Sequence, residues 1–569
     1  MGEFNLSQNY RSTILKTSTQ SFRDDQSLFF HYKYNLSNSI YFFSNNSWVL
    51  SSDTRSIRLN KLDNLLGTFG SGVNFGRNSY FELNGGFERN TQVNISSIGP
   101  SFGVNGNLDK YEVLDLIMNT SLKGKYSILN PDRKNSDLNY SLGLTKEYDA
   151  DNRINATLDY KIMGRDFIYY PVNITDRYYI EQREEQRINS SLESDFSITG
   201  NLFGSVKIYL SSLKVSRSYN DSIADFSLSY FYRNLNELTL SFNPELKINS
   251  KKYNHRAGFI YDVRNEDNFL TKKFSINEVV EDELQNNESQ RDNNSSKSGL
   301  YSFLTFLISS KDTISFNINT NLLQFDTPST SNYDDRDEFN SIIDLKYSKK
   351  FSEVLTASAT LNLQLNHLVY IKAQRSALNN WNRVIKFNPE INYRSSFLSA
   401  NPSFEILANY TVYDFEDLAP GIKSYSFRQI SYKDSLNIPL FRNIRLNSRI
   451  NIRYFERGIL FWKKFAESPQ SNNFEQYYRL MIFYNLFNGN NIGCGFSFFN
   501  LRSGVLKADS KTFADDYNQQ SISLESEIGI NFISGSFISF KGWLEFQEIN
   551  YKIKKVFPNF FILVKYFFG

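Results

Sequence analysis

Between Val354 and Ile371 the chain alternates almost without a slip between apolar and polar side chains. Leu355, Ala357, Ala359, Leu361, Leu363 and Leu365 take the odd positions, and Thr356, Ser358, Thr360, Asn362, Gln364 and Asn366 the even ones. Successive side chains of a strand point to opposite faces, so the pattern predicts one amphipathic strand. It is roughly three times as long as an ordinary soluble strand of ~5–6 residues.

The same alternation recurs along the chain. Leu238, Leu240, Phe242, Leu246 and Ile248 oppose Thr239, Ser241, Asn243, Glu245, Lys247 and Asn249. Ile314, Phe316, Ile318 and Leu322 oppose Ser315, Asn317, Asn319 and Asn321. Ile522, Leu524, Ile528, Ile530 and Phe532 oppose Ser523, Glu525, Glu527 and Asn531. No stretch of comparable quality carries helical spacing, so essentially no helix is expected.

Short polar turns at 35–39, 75–78, 106–110, 148–152, 310–312, 487–491 and 533–536 take turns with longer connectors. The long ones fall near 164–184, 266–298, 326–338 and 503–519. Only 222–248 breaks this rhythm, and reading it as one long strand restores it. The count is then about 26 strands, within a range of 22–28. Residues 1–9 read as an N-terminal tail, and 10–569 as a single all-β unit.

So many long strands must curl, split or close, because open edges invite aggregation. Closure into a barrel removes every edge. In a bilayer it also satisfies every backbone donor and acceptor without water. Spanning strands of ~9–11 residues, short turns at one end and long loops at the other describe a transmembrane barrel. The predicted fold is therefore a closed, antiparallel, up-and-down barrel with short periplasmic turns and long extracellular loops. Leu355, Leu361, Leu363, Leu365, Ile528, Ile530 and Phe532 should face lipid. Asn362, Gln364, Asn366, Glu525 and Glu527 should face the lumen.

Composition supports this reading. Phe (51) and Tyr (36) are abundant, which favours half-buried pleated surfaces. A mean hydropathy of −0.45 is too polar for a helical membrane protein. The longest apolar run, 560–568, is interrupted by Lys565 and falls short of the ~20 residues of a spanning helix. The net charge is only +3, from 63 basic and 60 acidic residues of mixed order, which argues against nucleic-acid binding. Cys494 is the single cysteine, so internal disulfides are excluded, and in its alternating run it reads as a small apolar filler. The opening residues lack a signal-peptide pattern, so an exported chain would have lost its leader or its true start.

The chain resembles the large outer-membrane β-barrels of Gram-negative-type bacteria over nearly all of its length. Its last strand resembles their insertion signal. Phe560, Ile562, Val564, Tyr566 and Phe568 share one face, although Gly569 follows where that family ends on the aromatic. The resemblance implies integral residence in the outer membrane, with lipids and the barrel-insertion machinery as partners. TonB-dependent receptor barrels carry about 22 strands around a plug. Here alternation starts near residue 10, which points to a plugless receptor-like barrel or a translocon-like barrel with a periplasmic or lipoprotein partner. The expected function is passage of solute or polymer. The alternative is a surface-structural or adhesion barrel with a blocked lumen, acting through its loops.

Candidate chemistry is sparse, and neither enzymatic activity nor a cofactor or metal is expected. His31, His255 and His367 belong to no metal pattern. Asn254–His255 and Asn366–His367 resemble part of the Ser–His–Asn set of barrel lipases, which makes an outer-membrane hydrolase the minor alternative. The glycines of 70–76 lack phosphate-loop spacing and read as a turn or kink. Asp334, Asp335 and Asp337 lack EF-hand spacing and read as a solvated loop. Residues 279–296 read as weakly ordered, and the 164–184 and 266–298 loops are the candidates for restricting a wide lumen.

Overall fold

The computed structural model describes residues 2–568, apart from 17–19, 54–59, 77, 93–94, 170–177, 222, 224–225, 420, 508–511 and 533–536. The first nine strands are β1 (Gly2–Lys16), β2 (Gln20–Asn35), β3 (Ile40–Asp53), β4 (Asn60–Asn74), β5 (Tyr80–Gln92), β6 (Ile95–Val113), β7 (Leu116–Leu129), β8 (Arg133–Glu147) and β9 (Arg153–Tyr169). Then come β10 (Tyr179–Thr199), β11 (Leu202–Tyr219), β12 (Phe231–Asn249), β13 (Tyr253–Lys272), β14 (Asn293–Leu307), β15 (Asp312–Asp326), β16 (Arg336–Lys350), β17 (Leu355–Tyr370) and β18 (Asn380–Arg394). The last are β19 (Ser399–Ala400), β20 (Ser403–Tyr413), β21 (Tyr425–Phe441), β22 (Ile444–Phe461), β23 (Ala466–Asn485), β24 (Asn491–Leu506), β25 (Phe513–Asn531), β26 (Phe537–Ile549) and β27 (Ile553–Phe568).

Each strand pairs antiparallel with the next, and β1 closes the ring against β27, from Phe4 opposite Phe568 to Lys16 opposite Val556. β19 and β20 are one stave, since both pair with β18 and β21 on either side of Asn401–Pro402. Proline has no N–H for the ladder, so the pairing breaks there. The wall therefore has 26 staves. An even number brings both chain ends to one rim, the rim that also carries the short connections 36–39, 114–115, 200–201, 250–252, 395–398 and 442–443. The opposite rim carries the longer ones, 220–230, 273–292, 327–335, 371–379 and 414–424.

Several expectations are corrected. Residues 2–9 are no tail: they belong to β1, which pairs with β2 on one edge and β27 on the other. Residues 106–110 lie inside β6, and the turn falls at Leu114–Asp115, where two positive-φ residues make a two-residue hairpin. The expected turn 533–536 lies outside the described residues. The span 222–248 is no single strand. Ser227–Tyr230 forms a 3-10 turn, and β12 begins at Phe231. The buried Ser229 hydroxyl donates to Phe226 O at 2.7 Å and accepts from Ile223 N at 2.7 Å, giving the backbone a local alternative to the ladder.

The long connectors are shorter than polarity suggests. The 164–184 connector shrinks to 170–178, mostly outside the described residues, and 503–519 shrinks to 507–512. Charged residues such as Glu181, Arg183 and Glu185 are laddered against β11, so their polarity does not mark a loop.

The 266–298 region holds a helix, α1 (Glu278–Ser289). The Asn277 side chain caps it by accepting from Val279 N at 2.9 Å, and Glu278 and Glu281 complement the dipole of its first turn. Beyond Glu266, β13 has lost its β14 partner. Its amides are taken up instead by the α1 region: Leu270 N donates to Gln285 Oε1 at 2.9 Å, and Asn268 N to Asp292 Oδ1 at 2.5 Å.

The two faces of the wall differ. Leu345, Leu361, Phe387, Ile406, Ile430 and Tyr454 lie directly opposite one another on successive staves, and all are exposed. One residue along, the other face carries Asp344, Asn362 and Lys386 in a row, with Asn362 Nδ2 donating to Asp344 Oδ1 at 2.6 Å.

Candidate functional site: the polar face of the wall

Several polar side chains reach across an entire intervening strand. Tyr41 Oη donates to Glu82 Oε1 at 2.7 Å over Gly72 of β4. Tyr301 Oη donates to Glu245 Oε2 at 2.7 Å over Gly258 of β13. Lys125 Nζ meets Glu88 Oε2 at 2.7 Å across β6, and Arg479 Nε donates to Glu525 Oε2 at 2.7 Å across β24. Neighbouring strands lie ~4.8 Å apart, so such reach requires a concave surface with a small residue beneath the bridge. A Cβ on Gly72 would sit 2.3 Å from the Tyr41 ring, and one on Gly70 2.6 Å from Phe43. Gly70 and Gly72 are thus mid-strand positions covered by aromatic rings, and of the glycines in 70–76 only Gly76 lies in a turn, between β4 and β5.

Towards the long-loop rim, the polar face of β5–β9 closes into a buried network. Arg133 is 1 % exposed and donates to Asp166 O at 3.1 Å, Asn90 Oδ1 at 2.7 Å and Ser97 Oγ at 3.3 Å. Glu88, 2 % exposed, accepts from Ser127 Oγ at 2.6 Å as well as from Lys125. Ser97, Ser101 and Ser127 are small enough for β5 and β8 to meet over them. A cavity of about 460 Å³ opens beside this network, lined in part by Asn64, Asp137, Arg165 and Phe167.

A second concavity, of about 470 Å³, lies over β22–β26 and is lined by Arg449, Tyr477, Arg479, Glu525, Glu527 and Trp543, among others. Two residues expected on the lumen side meet there: Glu525 is paired with Arg479, and Glu527 with Lys541 at 3.3 Å. Asn362, Gln364 and Asn366 share one face of β17 elsewhere on the wall. Gln364 has apolar neighbours, Ile342 and Val384.

Of the residues expected to face lipid, Leu361 and Leu363 sit among Leu345, Phe387, Ile343 and Ile385. Ile528 and Ile530 lie opposite Phe540 and Ile538, and Phe532 follows the end of β25. Leu355 faces Tyr393 near the short-turn rim, and Leu365 lies between Ser341 and Arg383. In β27, Phe560, Ile562 and Val564 pair with Gly542, Phe540 and Ile538, while the backbones of Tyr566 and Phe568 pair with Leu6 and Phe4. Cys494 is exposed on the apolar face opposite Ile482, so it fills no core.

The histidines are occupied separately. His367 stacks on Trp381 at 4.1 Å and lies 3.0 Å from Asp414 Oδ2. His255 Nε2 lies 2.9 Å from Ser302 Oγ, whereas Asn254 points to the other face of its strand. His31 lies 2.5 Å from Asn45. Among the described residues no three His, Cys, Asp or Glu side chains converge as metal ligands. Asp334 is taken by Arg336 and Arg375, and Asp335 by Thr327 and Lys372.

Two features escape single-strand reading. The cross-strand bridges depend on wall curvature, which one strand's pattern does not carry. The other, an arginine at every fourth residue from 445 to 457, was legible as a period of four on a period-two strand.

No protein-family model and no curated protein matches the chain. Among solved structures it is similar to the copper transporter OprC, at 9% identity over 100% of this chain and 80% of that one, with a TM-score of 0.46. It is also similar to the FrpB iron transporter from Neisseria meningitidis (F5-1 variant), at 11% identity over 87% and 83% of the two chains, TM-score 0.45. For the unliganded ferric citrate transporter FecA the identity is 9% over 99% and 79%, TM-score 0.43.

Proposed function

We propose that this chain is a bacterial outer-membrane barrel that passes polar solute through its lumen, beneath an outer loop that narrows the mouth. The observation that carries the reading is the pairing of two opposite faces. The bridges Tyr41–Glu82, Tyr301–Glu245, Lys125–Glu88 and Arg479–Glu525 belong to the polar face, where a concave side lets side chains converge over a whole strand, while on the other face Arg428 and Glu467 meet across β22 only at its long-loop end. The convex side then carries the unbroken exposed rows of Leu345, Leu361, Phe387, Ile406 and Ile430. Apolar surface on that scale is unfavourable in water and favourable in lipid. Leu355, Leu361, Leu363, Leu365, Ile528, Ile530 and Phe532 are accordingly assigned to lipid, and Asn362, Gln364, Asn366, Glu525 and Glu527 to the lumen.

Aromatic residues support the depth of insertion. Tyr393 and Trp381 share one face of β18, twelve residues apart. That is roughly 40 Å along the strand, or roughly 30 Å along the axis at the usual tilt of ~40°, close to a spanning band. The short-turn rim with both chain ends is assigned to the periplasm, and β27, with Phe560, Ile562 and Val564, to recognition by the insertion machinery.

The loop carrying α1 is assigned to the outer mouth. Glu288 of α1 pairs with Arg233 at 3.3 Å, and Arg233 shares its face with Glu237, which binds Arg264. The helix therefore leans on the polar side of β12–β13. Asn332 of the neighbouring loop donates to Gln290 O at 2.7 Å and ties the two loops together.

The test is conductance of the purified barrel in planar bilayers, with residues 275–291 intact or replaced by a short Gly-Ser linker. Current that rises on removal of the loop supports a narrowed channel. Absence of current in both forms would instead favour the blocked, loop-presenting barrel.

A further inference from the structure

On β22 the polar face reads Arg445, Asn447, Arg449, Asn451, Arg453, Phe455 and Arg457, while Leu446, Ser448, Ile450, Ile452, Tyr454 and Glu456 take the other face. Four guanidinium groups thus stand on one side of one strand, spaced roughly 13 Å apart from the short-turn rim to the long-loop rim. The flanking strands add cations to the same side. Arg479 lies directly opposite Arg449, and Lys433 directly opposite Asn451.

Compensation is partial, because the concavity that Arg449 lines also holds Glu525, Glu527 and Glu545. Arg453 is paired with Glu475 at 2.5 Å, and Arg479 with Glu525. Arg445, Arg449 and Arg457 have no ion pair among the described residues, and Arg445 and Arg457 rest instead on the rings of Phe483 and Tyr425, each at 5.0 Å. The contrast with β10 is instructive. Its polar face reads Glu181, Arg183, Glu185, Arg187, and Glu185 is contacted by both arginines, at 3.3 and 3.7 Å. There the charge cancels within the strand, and on β22 it does not. Opposite Arg449, Arg479 already has Glu525, so Arg445, Arg449 and Arg457 are the guanidinium groups of this strand left without a paired carboxylate and open to a ligand of the other sign.

We infer that β22 is a cationic track that selects small oxyanions, phosphate or carboxylate solutes, as they traverse the lumen. The inference rests on the reading of the polar face as the lining of a conducting channel. Guanidinium forks match phosphate and carboxylate oxygens two at a time, and one sign of charge along a low-dielectric wall concentrates counter-ions. Rungs spread over the height of the wall give several weak stations rather than one deep trap, which lets an ion leave as readily as it enters.

The experiment measures reversal potentials of the full chain, with 275–291 replaced by the linker, in planar bilayers under a potassium chloride gradient. It compares the parent, the triple variant R445Q/R449Q/R457Q and the triple variant R445K/R449K/R457K. The expected result is chloride preference in the parent, lost in the glutamine variant and kept in the lysine variant. Chloride current in the parent should also fall on adding inorganic phosphate or succinate, and whichever blocks at lower concentration identifies the preferred oxyanion. A channel that conducts without anion preference, or whose preference survives the glutamine substitutions, overturns the track and leaves the channel standing. Preference without block by either oxyanion also overturns it, because the arginines would then act as a diffuse field without recognition. A barrel that passes no current overturns the channel reading and the track together.

Discussion

Tyr301 and Glu245 meet at 2.7 Å although a strand lies between them, because residue 258 of that strand is glycine. A Cβ at 258 would stand 2.4 Å from Tyr301 Oη and 2.7 Å from Pro244 O. The tyrosine could swing away, but the backbone carbonyl could not. Gly258→Ala should therefore lower stability by about 1–3 kcal/mol, the usual cost of overpacking. Gly200→Ala, with nothing within 4 Å of the added carbon, should be close to neutral. Urea titration of both variants in lipid vesicles measures the difference, and equal midpoints would remove the bridge as a structural tie.

Leu363 and Gln364 are adjacent in sequence and on opposite faces of β17. Leu363→Arg should impair folding into vesicles by ~2–4 kcal/mol near the midplane of the bilayer, whereas Gln364→Arg should be tolerated. The same vesicle titration checks both. Equal tolerance would refute the assignment of Leu363 to lipid and Gln364 to the lumen.

The long-loop end of β13 depends on a side chain where a strand would otherwise supply the acceptor. Gln285→Ala removes the acceptor of Leu270 N, and Asn277→Ala removes the cap of α1, a change that typically costs ~1 kcal/mol. Both should speed amide exchange at 268–289 without altering exchange in the middle of β13. Exchange that spreads along the whole of β13 would mean that the helix supports the wall and not just its edge.

Asp335 gives the loops of the long-loop rim an acid-sensitive joint. Burial alone would raise its carboxyl, but the Thr327 hydroxyl and amide and the Lys372 ammonium outweigh burial and hold it below the ordinary carboxylate range. A depressed folded-state value contributes stability that is complete above the unfolded carboxylate value and is lost as pH falls through the folded one. The 327–335 and 371–379 loops should therefore resist proteolysis at neutral pH and become cleavable below about pH 4, in the carboxylate range. Asp335→Asn should make them cleavable at neutral pH and remove the acid step. An unchanged step in that variant would assign it to another group.

The wall itself was readable from alternation, because a strand with one apolar face repeats every two residues whatever surrounds it. Leu361 and Asn362 needed no partner to be placed on opposite sides. The ends of strands were not readable in this way. Beyond the apolar band, residues such as Glu181 and Arg183 pair as firmly as any, yet their polarity looks like that of a loop. At 226–232 the alternation of Phe226, Leu228, Tyr230 and Tyr232 continues through a turn, so parity hid the break that Ser229 makes. The helix at 278–289 carries no clear apolar stripe, and its place is set by Gln285, Glu288 and Asp292 gripping other elements. The arginines of β22 were visible, but which of them lack an ion pair (Arg445, Arg449 and Arg457) emerges only when the neighbouring strands are laid beside them.

The pairing of β1 with β27 joins residues 4–16 to residues 556–568, the two extremes of the chain. Of all ladders in the wall it spans the greatest sequence distance, so its loop-closure entropy is the largest and it can form only after β27 has been made. Until then the free edge of β1 stays open to any other strand, its own copies included. Zippering this last ladder thus converts an aggregation-prone open sheet into a finished barrel, and whatever chaperones the chain must guard its first strand until its last arrives.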